Sequence, residues 1–203
     1  MSGIVTPTQA ALSPGFVEPV LDAQAAFRAT LAALSHPGRI EELTLRLNPP
    51  AGVDAATAAA CLTLLDGDTP VWLAPHAAAD GAAAWIAFHT GAPVVSVAGK
   101  AAFAVMLDAA SLPALEDFDW GSDEEPQRGA TLIVQVPDLN AQGGWSLRGP
   151  GIATRAVLRI DGLPDSFLAA RRAMSGAFPR GLDILFASGA RLAALPRTTI
   201  LEA

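Results

Sequence analysis

The sequence predicts an α/β fold in which helices flank a mixed β-sheet. Helical and extended patterns alternate over residues 22–107, which favours parallel strands joined by helices. After residue 130 the strand patterns follow one another closely, as expected for antiparallel pairing. No internal repeat is present in the 203 residues. We expect one α/β domain over residues 16–203, preceded by a flexible arm over residues 1–15 that is rich in Pro, Ser and Thr.

Three helices and four strands are predicted in the first half. Asp22 is the expected N-cap of the first helix, which Pro37 and Gly38 end. Asp54 is expected to cap the second helix, which runs through Leu65. A third helix is predicted over residues 77–88, and strands are predicted over residues 40–47, 71–74, 94–97 and 102–107.

The second half opens with an acidic segment, residues 112–128, whose prolines and glycine predict an exposed loop. Phe118 and Trp120 are expected to anchor this loop to the core. Strands are predicted over residues 131–136, 145–148 and 156–160, and a helix that starts with a proline over residues 164–174. Residues 184–187 and 191–195 predict a terminal hairpin around Ser188 and Gly189.

Charge and hydropathy narrow the class of function. The net charge is −7 and Lys100 is the only lysine, which argues against binding to a nucleic-acid backbone. Hydrophobic residues make up 51% of the chain, and the mean hydropathy of +0.37 fits a subunit that buries part of its surface against partners.

Membrane insertion and secretion are also disfavoured. The uncharged stretch over residues 81–99 contains Pro93 and several glycines, so helix, turn and strand explain it better than a membrane span. The first twenty residues contain prolines and no basic residue, which does not resemble a signal peptide. Cys61 lies in an alanine-rich run and is expected to be a buried small hydrophobe. We therefore expect a cytoplasmic protein.

No assembled catalytic motif is recognisable. The three histidines are far apart in sequence, and zinc-ligand spacings are absent, so no metal is expected. Gly149-Pro150-Gly151 follows a predicted strand, but Pro150 removes one N–H, and a turn is favoured over a phosphate cradle. Lys100 lies in a predicted turn, where an exposed side chain is favoured over a Schiff-base lysine. Ser175 has no evident base.

Three segments keep a functional alternative open. Asp66 and Asp68 can share a proton, bind a cation or cap a turn with Thr69, and the Gly and Pro beside them favour the turn. His89 can titrate near neutral pH, although a satisfied histidine at a helix end is favoured. Arg197 can bind a phosphate or phosphonate, together with Arg180, or can pair internally with Asp183.

The same segments carry a family resemblance that extends from about Phe16 to the end of the chain. In order, they resemble the PhnH subunit of carbon-phosphorus (C-P) lyase. The segments are Asp22-Ala23-Gln24 with Phe27-Arg28, Ser35-His36-Pro37-Gly38, Leu65-Asp66-Gly67-Asp68-Thr69-Pro70-Val71-Trp72-Leu73, Phe88-His89-Thr90, Gly129-Ala130-Thr131-Leu132-Ile133, Gly149-Pro150-Gly151-Ile152, Phe178-Pro179-Arg180-Gly181-Leu182-Asp183 and Leu195-Pro196-Arg197-Thr198-Thr199.

The resemblance implies a fold like that of pyridoxal-phosphate-dependent transferases, but with no cofactor lysine and no cofactor. It implies a homodimer in isolation, and assembly with sibling subunits into a core complex. That complex makes α-D-ribose 1-methylphosphonate 5-triphosphate from a nucleoside triphosphate and a phosphonate. The family supplies no catalytic residues for this subunit, so the matching positions are carried over only as ligand or partner contacts: Asp66, Asp68, Thr69, His89, Asp183 and Arg197.

The leading hypothesis is therefore an interaction subunit that is not catalytic alone, or is at most co-catalytic. A free-standing transferase or hydrolase using Asp66, Asp68 and His89 is one alternative. A module that binds phosphonate or nucleotide through Arg197 and Arg180 is another.

Overall fold

The computed structural model describes residues 14–202, so nearly all of the predicted arm over residues 1–15 lies outside the described residues. Two sheets and four α-helices make up the fold. The helices are α1 (Pro19–Ser35), α2 (Ala55–Leu64), α3 (Ala79–Thr90) and α4 (Phe167–Ser175). The strands are β1 (Glu41–Glu42), β2 (Val71–Leu73), β3 (Phe103–Met106), β4 (Thr131–Gln135), β5 (Leu139–Arg148), β6 (Ala156–Ile160), β7 (Asp183–Ser188), β8 (Arg191–Leu195) and β9 (Ile200–Glu202).

The main sheet is mixed, which confirms the predicted class. Its six strands lie in the order β1-β8-β7-β4-β3-β2. Strands β2, β3, β4 and β7 are parallel, whereas β8 pairs antiparallel with β7 and β1 pairs antiparallel with β8. The antiparallel β7–β8 pair is the hairpin expected from the sequence. A second, antiparallel sheet has the order β6-β5-β9.

Both faces of the main sheet are covered. Side chains that alternate along its strands, such as Val105, Ile133 and Leu185, pack on one face against α1, α2 and α3. Their neighbours, such as Leu132 and Phe186, pack on the other face against the second sheet and α4. Because both sides are buried, the central strands are continuously apolar and do not alternate with polar residues.

Alanine lets the helices lie close to the sheet. Ala26 and Ala33 on α1 and residues 58–60 on α2 are all fully buried. Side chains this small allow a helix backbone to approach the strands closely and still leave no cavity. The high alanine content is therefore mostly a packing feature of the helical layer.

Two predicted strands are wrong or much shorter than expected. Residues 94–97 form no strand: only Val94 pairs, in a single parallel bridge to Val71 at the sheet edge. The strand predicted over residues 40–47 is reduced to Glu41–Glu42. Strand β1 runs antiparallel to β8 and approaches the β7–β8 turn, where the Leu43 N–H donates to the Ala190 carbonyl. Residues after Leu43 pass the end of β8 and have no strand to pair with.

Helix boundaries also differ from the sequence prediction. Helix α1 begins at Pro19, and its N-cap is Glu18 and not Asp22. The Asp22 carboxylate instead accepts a hydrogen bond from the Glu18 N–H at 2.9 Å, inside the first turn. Asp54 does occupy the N-cap position of α2, but its side chain makes no capping bond to that helix. The predicted acidic loop is confirmed: Phe118 is buried, and the Trp120 Nε1 donates to the Leu115 carbonyl at 2.7 Å.

The turn over residues 149–151 packs against the end of α1. A β-carbon on Gly151 would lie 2.0 Å from the Ser35 carbonyl oxygen, and the residue has a φ of +82°. Only glycine fits at this position, because a β-carbon would clash with Ser35 and because the positive φ is unfavourable for other residues. The segment is a packed turn, as the sequence favoured over a phosphate cradle. Among residues 14–202, no helix is both long and apolar enough to cross a membrane.

The buried position of Cys61 gives a testable prediction. The side chain is 1% exposed, and burial raises the pKa of its thiol to about 12. Because only the thiolate reacts, we expect iodoacetamide at pH 8 to leave the native chain unlabelled and to label it fully in denaturant. Mass spectrometry measures the label. The exposed thiol of a Ser35→Cys variant is the control, and equal labelling rates for the two thiols in the native state would contradict the buried position.

Candidate functional site

A cleft of about 710 Å³ opens where the parallel strands end, and we call it the carboxyl-edge cleft. Ligands of open α/β sheets commonly bind at this edge. The loops that follow β2, β3, β4 and β7 all contribute to it. The lining residues are Glu42, Asp54, His76, Leu107, Asp108, Gln135, Val136, Pro137, Ser188, Gly189, Ala190 and Arg191.

Gln135, the last residue of β4, holds the base of this cleft together. Its Oε1 accepts hydrogen bonds from the Asp54 N–H at 2.7 Å and the Thr57 hydroxyl at 3.1 Å. Its Nε2 donates to the carbonyls of Gly52 at 3.1 Å and Leu107 at 3.3 Å. Gln135 was not among the residues predicted from the sequence. Its position at the end of a strongly apolar strand is a local signal for a polar role, but its partners are distant in sequence.

Asp54 joins the same network from the other side. Its Oδ2 accepts a hydrogen bond from the Gly189 N–H at 2.8 Å, in the turn of the β7–β8 hairpin. The carboxylate thus ties the start of α2 to that turn, which explains why it makes no capping bond to α2. The network connects α2, β4 and the hairpin.

The cleft is acidic. Glu42, Asp54 and Asp108 bring three carboxylates, against one guanidinium from Arg191. That guanidinium is itself paired with Asp138 at 2.7 Å, and its hydrogen bond holds the pKa of Asp138 below the usual value. Coulomb repulsion therefore disfavours phosphonate or triphosphate groups in this cleft.

The cleft residues do not fit pyridoxal phosphate either. That cofactor needs a lysine for its Schiff base and donors for its phosphate. Lys100 is exposed in a short turn before β3, at the opposite edge of the sheet, and the cleft carboxylates repel a phosphate. Within the described part of the chain, no group of three or more His, Cys, Asp or Glu residues is placed to hold a metal ion.

The sequence-predicted residues lie at the other edge, where the parallel strands begin. Asp66, Asp68 and Thr69 form a compact turn before β2. The Asp68 N–H donates to Asp66 Oδ1 at 3.0 Å, and the Thr69 hydroxyl bonds to both the N–H and the carbonyl of Asp66. This is the turn-capping geometry that the sequence favoured. Asp68 also lines a second cleft of about 540 Å³ with Lys100, Asp119 and Arg128, the amino-edge cleft.

His89 lies near the end of α3, whose C-cap Gly91 packs against this turn. A β-carbon on Gly67 would be 4.0 Å from the Gly91 carbonyl, so the turn packs against the end of α3. The His89 ring centroid is 4.9 Å from that of Trp85 and 5.0 Å from that of Phe88. A β-carbon on Gly15 would lie 3.2 Å from its Nδ1. His89 is thus enclosed by ring and backbone contacts at the helix end.

Asp183 and Arg197 form an internal ion pair. Arg197 Nη2 is 2.7 Å from Asp183 Oδ2, and the Arg197 N–H donates to Asp183 Oδ1 at 2.7 Å. The Arg197 guanidinium also donates to the Pro126 carbonyl, which anchors the acidic loop. Gly129 permits this approach, because a β-carbon there would lie 3.0 Å from Arg197 Nη1. The side chains of Arg197 and Asp183 are only 14% and 27% exposed.

A third charge, Arg171 on α4, lies near this pair and was not found by sequence reasoning. It is 1% exposed and donates to the Leu182 carbonyl at 3.0 Å and to the Pro196 carbonyl. Burial lowers the pKa of Arg171 to about 10, while Asp183 raises it and Arg197 lowers it. The guanidinium still carries its charge at neutral pH. Arg171, Asp183 and Arg197 together join α4, β7 and the segment after β8.

The predicted residues therefore form two groups. Asp66, Asp68 and Thr69 share the turn before β2, and His89 lies near the end of α3, which packs against that turn. Asp183 and Arg197 lie at the start of β7, which β3 and β4 separate from β2. Three strand spacings amount to roughly 14 Å, too far for one small ligand group to contact both sets. Arg180 pairs with Asp123 at 3.2 Å on the exposed surface.

Residues 14–202 thus form an α/β fold with two sheets, in which Asp183 pairs with Arg197 and Asp66 bonds within its own turn. A family model described as "Bacterial phosphonate metabolism protein (PhnH)" matches residues 14–202. The chain is 42% identical over 192 residues to the alpha-D-ribose 1-methylphosphonate 5-triphosphate synthase subunit PhnH of Rhizobium meliloti (strain 1021), covering 94% of this chain and 95% of that protein. It belongs to the PhnH family.

A more distant relative is HtxG of Stutzerimonas stutzeri, a protein assigned provisionally as a C-P lyase subunit. Identity with it is 31% over 180 residues, covering 87% of this chain and 84% of that protein. Both relatives match over most of their length. The family resemblance stated from the sequence motifs is confirmed.

The Gln135 network gives one stability prediction. Gln135→Leu keeps the approximate size of the side chain but leaves the Asp54 N–H without its acceptor. We expect the free energy of unfolding to fall by about 1–3 kcal/mol, the cost of an unsatisfied, largely buried polar group. Urea denaturation measures it. The matched control is Gln142→Leu on β5, an exposed site, and an equal effect in both variants would contradict the role of Gln135.

The Asp183–Arg197 ion pair gives a second stability prediction. Arg197→Ala leaves a largely buried carboxylate without its partner, and we expect a loss of about 3 kcal/mol in the free energy of unfolding. Asp183→Ala should cost a similar amount, and the double variant less than the sum. Arg148→Ala breaks a surface pair with Glu202 and should cost less than about 1 kcal/mol. Arg197→Ala unfolding at the same urea concentration as Arg148→Ala would show that the pair is not structural.

Proposed function

We propose that this chain is a subunit of a ribose 1-methylphosphonate 5-triphosphate synthase in the C-P lyase system of phosphonate breakdown. The observation that carries the proposal is 42% identity, over 94% of the chain, to a relative named as that subunit. Its contribution is assembly or co-catalysis within the complex. The product, α-D-ribose 1-methylphosphonate 5-triphosphate, forms from a nucleoside triphosphate and a phosphonate.

The side chains with nucleophilic potential support a role other than solitary catalysis. Cys61 is buried, and its thiol pKa is raised to about 12, so no thiolate is present at neutral pH. The Ser175 hydroxyl donates to the Arg172 carbonyl at 2.7 Å. Asp183 is paired with Arg197, and the Asp66 carboxylate accepts from the Asp68 N–H. These groups stabilise the fold and are not held in an open reactive arrangement.

The amino edge of the main sheet is the region that we assign to ligand or partner contact. Asp68 lines the amino-edge cleft beside Lys100, and Asp66 and Thr69 belong to the same turn. His89 lies near the end of α3, whose C-cap Gly91 packs on that turn. Arg197, held by Asp183, lines a separate groove with the exposed Phe178 and Ile200. Exposed apolar side chains next to anchored charges are typical of protein interfaces. In this proposal the pair positions the groove and does not bind phosphonate itself.

Several further expectations belong to the same proposal. Residues 16–203 act as a single domain, related to the pyridoxal-phosphate-dependent transferase fold but without that cofactor. The chain acts in the cytoplasm and pairs with a second copy when its sibling subunits are absent. The mixed sheet covered on both faces supports the single domain.

Co-purification tests the proposal directly. The tagged chain, expressed with the other subunits of the C-P lyase core from its own genome, should retain them through a wash at moderate salt. The eluted complex should release the base from a nucleoside triphosphate when methylphosphonate is added, whereas the purified chain alone should not. Chromatography of the free base measures turnover.

Two results would contradict this function. The tagged chain eluting alone, under conditions that keep the other subunits together, would exclude a place in the complex. Turnover by the chain alone would make it a free-standing enzyme, provided that Asp68→Ala or His89→Ala abolishes the turnover and leaves the melting temperature unchanged.

A further inference from the structure

The amino-edge cleft is lined by charges of both signs. Lys100 and Arg128 bring two cations, and Asp68 and Asp119 bring two carboxylates. The floor between them is mostly apolar and includes the half-buried Phe103. The volume of about 540 Å³ lies in the range of small-molecule sites, which combine an apolar lining with a few placed polar groups. Because the two cations offset the two carboxylates, this cleft does not repel an anionic group as the carboxyl-edge cleft does.

Two of these opposite charges line the same cleft without pairing. Within residues 14–202, seven arginines form ion pairs with Asp or Glu, whereas the Lys100 ammonium and the Asp68 carboxylate form none. A ligand that carries both an anionic and a cationic group can therefore pair with each of them. No internal ion pair of Lys100 or Asp68 has to break when such a ligand binds.

Two turns hold these side chains at the start of neighbouring strands. The Asp68 N–H donates to Asp66 Oδ1 at 3.0 Å, so the turn uses the backbone of Asp68 and not its carboxylate. The Lys100 N–H donates to the Val97 carbonyl at 3.1 Å. The turns precede β2 and β3, which are paired and so lie roughly 5 Å apart. A ligand whose two charges are separated by a short carbon spacer matches this distance.

The walls of the cleft are tied together by backbone contacts. The Pro70 carbonyl accepts hydrogen bonds from the Ala102 N–H at 2.8 Å and the Phe103 N–H at 3.1 Å, which joins the turns before β2 and β3. A β-carbon on Gly99 would lie 3.1 Å from the Asp117 carbonyl oxygen, so the second turn also packs tightly on the acidic loop. A site fixed in this way needs little ordering when a ligand binds, which favours affinity.

The acidic loop forms the third wall and carries the other two charges. The Arg128 Nε pairs with Glu125 at 3.0 Å, which leaves the terminal N–H groups of its guanidinium for an anion. The ion-paired Arg197 donates to the Pro126 carbonyl, two residues before Arg128. Arg197 thus positions the segment that carries Arg128, while Asp119 supplies a second carboxylate on the same wall.

We propose that the amino-edge cleft binds a small zwitterion, with its acidic group at Lys100 and its ammonium group at Asp68. This rests on the proposed assignment of the amino edge to ligand contact and names the chemical class of that ligand. A purely anionic ligand leaves the carboxylates of Asp68 and Asp119 unmatched, and a purely cationic one leaves Lys100 unmatched. Aminoalkylphosphonates and ω-amino acids both have the required pair of charges on a short spacer.

Calorimetry on the purified full chain tests the charge pattern. The probe is aminoethylphosphonate, and the two half-ligands are methylphosphonate, which lacks the ammonium group, and ethylamine, which lacks the acidic group. We expect aminoethylphosphonate to bind at least about tenfold more tightly than either, because each half-ligand loses one charge-assisted contact. Taurine and β-alanine distinguish the sources: equal affinity assigns the cleft to amino acids in general, and weaker affinity assigns it to aminophosphonates.

Two variants test the residues. Lys100→Met and Asp68→Asn each remove one charge and keep the approximate size of the side chain. Each should raise the dissociation constant of aminoethylphosphonate at least about tenfold. The matched controls, Arg155→Met and Asp165→Asn, remove exposed charges outside the cleft and should leave the constant unchanged. Unchanged melting temperatures in all four variants exclude misfolding as the cause.

Three results would overturn this assignment. Methylphosphonate binding as tightly as aminoethylphosphonate removes the requirement for an ammonium group. Aminoethylphosphonate binding that survives both Lys100→Met and Asp68→Asn places the ligand elsewhere. No binding of any zwitterion at millimolar concentration removes the site. None of these results alters retention of the sibling subunits, which co-purification measures separately.

Discussion

The structure depends on burying both faces of the six-stranded sheet. A parallel sheet is stable when both of its faces are buried, and here different structural elements pack on the two faces. Alanine-rich helices lie on one face, and a small antiparallel sheet with α4 lies on the other. Close helix packing requires small inner side chains on α1, whereas large apolar residues of the same helix, such as Val20 and Phe27, are exposed. Helix α1 therefore has apolar side chains on both its buried and its exposed face.

Polar groups in this chain mostly connect elements to one another. Gln135 and Asp54 join α2, β4 and the β7–β8 turn, and Arg197, Asp183 and Arg171 join the acidic loop, β7 and α4. A polar side chain engaged in this way holds loops in place without being available for chemistry. These contacts hold the loops at both edges of the main sheet in defined positions.

The two edges of the main sheet differ in chemistry. The carboxyl edge, where ligands of α/β sheets usually bind, is lined by carboxylates and repels phosphonates. The amino edge holds Lys100, Arg128 and the turn around Asp68. Fold-level analogy to cofactor-binding proteins would place a ligand in the carboxyl-edge cleft. The residues present there disfavour a phosphorylated ligand, so function has to be argued from the side chains and not from the architecture.

The sequence by itself determined the fold class, the elements with strong local patterns and the family. Strand β4, the hairpin, and the turn at Asp66–Thr69 follow from apolar runs and from Gly, Pro and Asp at turn positions, which act locally. Only the tertiary structure decided that Val94 alone of residues 94–97 pairs with the main sheet, and that Arg197 forms its ion pair with Asp183. It also decided that Gln135 and Arg171 connect segments that are distant in sequence. Those outcomes depend on partners many residues away, which no local pattern encodes.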